Sequence, residues 1–205
     1  LITYPMPGGE VCVKELWRMA FGVLWEVCAD EAEAVGFFDG IFADRPGGEE
    51  RLARQISGRF NTPLTSSAGR GFDAAAALIG LNTRALYARQ ATWELEAVAE
   101  RKTSPFPYGL DTGVRPWRLD TRPLFAALRA EAGRGADISG IAGSFHATLA
   151  NMVVETCAAL RQDSGIARVA LSGGVFQNEL LTALVVEGLE KMDMKPFVHH
   201  RVPCN

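Results

Sequence analysis

Between Leu16 and Val27, apolar side chains fall at Leu16, Met19, Ala20, Val23, Leu24 and Val27, with Glu15, Arg18 and Glu26 on the other side. That spacing predicts a helix buried along one face. The stretch before it, YPMPGG, is turn-like because Pro5, Pro7, Gly8 and Gly9 resist regular structure. ADRPGGEE (43–50) breaks the chain, and Glu50–Arg59 reads as another short helix. NTPLTSSAGRGFDAAAALIGL (61–81) then passes from a polar, proline-containing turn into a nearly all-apolar helix. A helix apolar on every side is normally buried on every side.

A Glu-rich helix is predicted over Ala88–Arg101, ending before the loop TSPFPYG (103–109). Two short strands around YGLD and RPWRLDT follow, separated by Gly113. RPLFAALRAEAGRG reads as a helix stopped by Gly133 and Gly135. The longest periodic segment, Asp137–Arg161, carries one stripe of Ile138, Ile141, Phe145, Leu149, Met152, Val153, Thr156 and Leu160, with Asp137 placed to cap its start. A strand at 168–171, a glycine turn, a helix over 176–191 and a strand near 196–202 complete the pattern. The fold class is therefore helix-rich α/β with few strands, read as a single domain over 1–205 with residues 11–60 as a candidate helical subdomain.

Composition narrows the function classes. The net charge of −3 over 205 residues provides no global positive field, which argues against a nucleic-acid partner. Neither a membrane-spanning apolar run nor the zones of a secretory signal occur, so a cytoplasmic location is expected. Cys12, Cys28, Cys157 and Cys204 stand singly, which predicts buried or idle thiols rather than a zinc knuckle or a disulfide framework. The ends at Leu1 and Asn205, without a closing element, predict a piece of a longer protein.

The candidate chemistry concentrates in RVALSGGVFQNELL (168–181). A strand, a Gly-Gly turn and a helix start expose backbone N–H groups whose dipole favours an anion, and glycines let a ligand approach the backbone. A phosphate or nucleotide could lie against Gly173 and Gly174, with Asn178 one helical turn on. A tight turn needing positive φ explains the same glycines. Ala170-Leu171-Ser172-Gly173-Gly174 also fits a nucleophile elbow, with Asp193 and then His199 or His200 in hydrolase order. The helical chain upstream, the missing oxyanion loop and the close spacing of acid and base weigh against that serine hydrolase.

Gly69-Arg70-Gly71-Phe72-Asp73-Ala74 fits a dinucleotide fingerprint, but no strand precedes it. Asp73, at the start of the apolar helix, is either a first-turn acid complementing the dipole or a carboxylate that accepts from hydroxyls such as a ribose diol. His146 is expected to be a packed, hydrogen-bonded core residue. His199 and His200, adjacent on a predicted strand, point to opposite faces and cannot chelate one metal as a pair.

YPMPGG, TSSAGRGFDAAAALIGL, FHATLANMVVE, VALSGGVFQNELL and HHRVPCN together resemble, in that order, the C-terminal carbamoyltransferase region of the HypF family of hydrogenase maturation factors. That region is similar in turn to the TsaD enzymes of the actin/Hsp70/sugar-kinase (ribonuclease H-like) superfamily, in which two lobes close over a nucleotide. The resemblance implies one such lobe, with a small mixed sheet and helical additions. In TsaD-like proteins an Asp in an A-G-x-x-F-D helix start and the Asn of a G-G-V-x-x-N turn contact the nucleotide or acyl-adenylate. Here those positions are Asp73 and Asn178, with Gly173 and Gly174 beside the latter. Ser66, Ser67 and Arg70 lie in the turn before Asp73, where they either meet phosphate oxygens or cap the helix.

For an intact protein the resemblance implies that ATP and carbamoyl phosphate give carbamoyl-adenylate, and that the carbamoyl group passes to the C-terminal cysteine of the partner HypE. It also implies a divalent metal acting as Lewis acid. The chain departs from the family there. No H-x-x-x-H pair occurs, and the expected metal aspartate would follow Asn205. This chain is thus expected to be the nucleotide-facing lobe, without metal ligands of its own, lacking the first lobe and the N-terminal domains and inactive alone. A non-catalytic helical interaction module stays open as a second class of reading.

Overall fold

The apolar stripe from Leu16 folds as helix α1 (Leu16–Val27), which buries Leu16, Met19, Ala20, Val23 and Leu24. In the computed structural model, residues 1–41, 48–202 and 204 are described, residues 37–41 by backbone alone. Most of the break predicted at 43–50 lies outside the described residues. On either side of it run α2 (Glu31–Ile41) and α3 (Gly48–Ser57).

The alanine-rich segment folds as α4 (Ala68–Leu78), and every residue from Phe72 to Leu78 is buried. Alanine side chains let α1 pack closely along it, and α5 (Gln90–Val98) and α6 (Arg122–Gly133) pack against it as well. α7 (Ile138–Ser164) begins where predicted, with the Asp137 carboxylate accepting from the Gly140 N–H. Its stripe is buried at Ile141, Phe145 and Met152, while Ile138 and Leu160 near the helix ends are exposed. At the centre, Phe72 of α4 meets Phe145 of α7 edge-on at 5.0 Å, and Phe125 of α6 lies 6.2 Å from Phe145. Such aromatic contacts add to simple burial.

The strands are shorter than the expected mixed sheet requires. β1 (Tyr4–Pro5) pairs antiparallel with β2 (Leu64–Thr65), and β3 (Gly109–Asp111) pairs antiparallel with β4 (Arg118–Asp120). β5 (Arg168–Ala170) pairs in parallel with β6 (Lys195–Phe197), joined by α8 (Glu179–Lys191). The described residues thus hold three separate two-stranded ladders rather than one mixed sheet, with helices packed beside β1 and β6. β1 crosses α1 at Gly22, where a Cβ would stand 2.1 Å from the carbonyl oxygen of Pro5. Only glycine permits that approach.

Predicted boundaries move near the end of the chain. The last strand stops at Phe197, so His199 and His200 lie beyond it and strand alternation does not govern their directions. The helix predicted from 176 is a 3-10 turn over Gly174–Gln177 followed by α8, because the side chain of Asn178 caps α8 by accepting from the Leu181 N–H at 2.7 Å. Among the described residues no helix is long and apolar enough to cross a membrane.

Candidate functional site

α4 starts directly after Ser67, which is extended (φ −69°, ψ 124°), and the first amides of a helix have no acceptor within it. Facing this end, the chain leaves β5 through Gly173, whose φ of +103° is one that side-chain-bearing residues rarely adopt. A Cβ at Gly173 or Gly174 would meet no atom within 4 Å, so bare backbone faces open space. Ser67, Ala68 and Gly69 share one cleft of about 340 Å³ with Gly173, Gly174 and Val175, closed by Arg89 and Thr92 at the start of α5. The N-terminal ends of α4 and α5 both border this cleft, and their dipoles favour an anion there.

Of the residues singled out in the sequence, Ser67, Gly173 and Gly174 are brought together. Arg70 instead lines a small apolar slot with Tyr4, Met19 and Phe125. Asp73 corrects the first-turn reading. α4 begins at Ala68, so Asp73 sits in the second turn, away from the orphan amides. Its carboxylate is 5% exposed and ion-paired with the Arg70 guanidinium at 2.5 Å. Among the described residues neither paired atom has an aligned hydrogen bond. Burial pushes the Asp73 pKa up to about 7, although Arg70 draws it down. Ser67 stands at the N-cap position, but its hydroxyl makes no capping bond.

Asn178 is 1% exposed and faces inward. Besides capping α8, its Nδ2 donates to Nε2 of His146 at 3.0 Å, while Nδ1 of His146 donates to the Ala142 carbonyl at 2.7 Å. That arrangement assigns a neutral imidazole, and burial lowers the His146 pKa accordingly. His146 is thus the packed, hydrogen-bonded residue expected, and it stacks edge-on against Phe72, the neighbour of Asp73, at 5.4 Å. Asp73 and Asn178 therefore flank one buried aromatic contact, and neither lines the cleft.

Ser172 and His199 do meet, with Oγ and Nε2 3.2 Å apart. Asp193 does not join them. Ser172 and His199 follow the ends of the parallel strands β5 and β6, whereas Asp193 precedes β6, six residues from His199. The three residues of β6 lie between them, and six residues at full strand rise would span at most about 20 Å. The hydrolase acid is thus at the wrong end of the ladder. All four cysteines are free. Burial pushes the Cys12 thiol up to about 12 and raises those of Cys28 and Cys157, so these three are not activated nucleophiles. Among the described residues no three His, Cys, Asp or Glu side chains converge to hold a metal.

Arg89 and Thr92 escaped the sequence reading, because they sit inside a segment whose pattern is simply helical. Only the late start of α5 marks them. Arg89 occupies its N-cap with φ +66°, and its Nη1 donates to Oε1 of Gln177.

The fold and the cleft define a helix-rich α/β protein with small strand ladders and an open cleft bordered by two helix starts and a glycine turn. The family described as "Carbamoyltransferase, Kae1-like Domain, second subdomain" matches residues 1–205, and the chain belongs to it. It is 33% identical over 210 residues to a carbamoyltransferase HypF homolog of Cupriavidus necator, covering all of this chain and 52% of that relative. It is 34% identical to carbamoyltransferase HypF of Rhizobium leguminosarum bv. viciae, covering all of this chain and 26% of the relative. Full-length HypF in its phosphate- and nucleotide-bound form superposes with a TM-score of 0.91 at 29% identity, covering 100% of this chain and 26% of that one. HypF of T. kodakarensis superposes with a TM-score of 0.80 at 27% identity, covering 97% of this chain and 26% of that one. The chain thus spans about half of the first relative and about a quarter of the others.

Proposed function

We propose that this chain is the nucleotide-facing lobe of a HypF-type carbamoyltransferase, holding ATP or carbamoyl-adenylate while the carbamoyl group passes to the C-terminal cysteine of a HypE-like acceptor in [NiFe] hydrogenase maturation. The observation that carries the reading is the shared cleft, in which the helix start at Ser67–Gly69 faces the bare backbone of Gly173–Gly174. Phosphate groups would lie against the orphan amides, where no side chain holds them off. Ser67, Gly173 and Gly174 are then contact residues. Asp73 and Asn178 stand outside the cleft, the first paired through Oδ2 with Arg70 and the second capping α8.

The proposed architecture is one lobe of an actin/Hsp70/sugar-kinase (ribonuclease H-like) pair. Phe60, Leu64 and Leu86 are exposed, which supports a reading in which further protein covers them. The divalent metal proposed for the intact protein finds no complete ligand set among the described residues, and the lobe alone is proposed to be inactive.

Calorimetry with ATP and AMP on the intact protein tests the reading. The added Cβ of Gly174→Ala meets no atom of the fold within 4 Å but stands in the cleft, so binding should weaken while thermal stability is kept. Wild-type affinity in that variant overturns the assignment of the cleft.

A further inference from the structure

We propose that Arg89 is the phosphate-selecting cation of the cleft, gripping the anionic part of the ligand rather than its nucleoside. The inference deepens the nucleotide reading and rests on it for the identity of the ligand, though not for the presence of an anion site.

Arg89 is the charged side chain among those lining the cleft, whose other walls are Ser67, Ala68, Gly69, Thr92, Gly173, Gly174 and Val175. Its backbone is left-handed, φ +66° and ψ 10°, at the N-cap of α5, and its side chain makes no capping bond. Glycine or asparagine suits that conformation better than a long side chain, and such strain persists at sites where the residue serves a ligand.

The guanidinium is also held without being neutralised. Its Nη1 donates to the uncharged carboxamide oxygen of Gln177, and among the described residues no carboxylate pairs with it. Gln177 belongs to the turn that follows Gly173 and Gly174, and its Nε2 donates to the Cys204 carbonyl at 2.7 Å. Arg89 therefore reaches from α5 across to the glycine wall, with its charge unspent. An oxyanion between the walls meets a planar guanidinium and two helix ends together, which suits phosphate.

Calorimetry on the intact protein with inorganic pyrophosphate, ATP and adenosine separates the possibilities. Arg89→Gly relieves the left-handed strain, so its melting temperature should match or exceed wild type. Its affinity for pyrophosphate and ATP should fall about tenfold, as expected on losing a charge-assisted bidentate contact, with adenosine unchanged. Arg89→Lys should recover part of the loss. The inference is overturned if Arg89→Gly binds pyrophosphate and ATP as wild type does, if adenosine weakens as much as ATP, or if wild type does not bind pyrophosphate. Wild type that binds pyrophosphate in an Arg89-dependent way but neither ATP nor adenosine overturns the nucleotide reading and leaves the anion site standing.

Discussion

Asn178 donates to Nε2 of His146 at 3.0 Å, joining two buried residues 32 positions apart while the Asn178 oxygen caps α8. One side chain thus ties the start of α8 to the middle of α7.

Asn178→Ala should lower stability by roughly 2–4 kcal/mol, since it removes a helix cap and leaves a buried imidazole nitrogen unsatisfied. Urea unfolding measures the change. A loss below about 0.5 kcal/mol, the size of an ordinary surface change, would show that the cap and the imidazole contact matter little.

Asp73 gives stability an unusual pH slope. Its pKa is near 3.8 when unfolded and about 7 when folded, so between these values the folded chain binds the extra proton. Stability from this group is therefore full below about pH 4 and declines as pH rises through 7, by an amount on the order of a few kcal/mol. His146 acts oppositely, because its lowered folded pKa removes stability as pH falls below about 6.5. In Asp73→Asn only the acid-side loss should remain. An unchanged pH profile in that variant contradicts the assignment.

Gly22→Ala should cost about 3 kcal/mol, because the added methyl strikes the Pro5 carbonyl and overpacks the crossing of β1 and α1. Gly140→Ala in α7 meets nothing within 4 Å and should instead gain up to about 1 kcal/mol. Thermal melts of the pair provide the comparison, and equal effects would place the β1 crossing elsewhere.

Ser172 should resist a fluorophosphonate, since its partner His199 has no Asp193 carboxylate behind it. Mass spectrometry after labelling reads this directly. Labelling abolished by His199→Ala would revive the hydrolase reading.

Much of the site's vocabulary was legible in the sequence and little of its geometry. The glycine turn and the alanine-rich helix stood out because backbone demands leave local marks: Gly173 must take a positive φ, and residues 72–78 must be buried on all sides. The placement of Asp73 misled because a helix start set by backbone bonding at Ala68 leaves no mark on the acid five residues later. Arg89 was invisible because nothing local distinguishes an arginine in a helical stretch from one that borders a cleft.

By itself the sequence determined the helical periodicities, the cap at Asp137 and the resemblance carried by five separated stretches, since each depends on neighbours close along the chain. Only the tertiary structure decided that Gly173 faces Ser67, that Asn178 turns inward to His146, and that Asp193 is parted from Ser172. Those outcomes depend on how α4, α5, α7 and the β5–β6 ladder pack against one another. Contacts between elements distant in sequence are set by the burial of whole faces rather than by any local pattern.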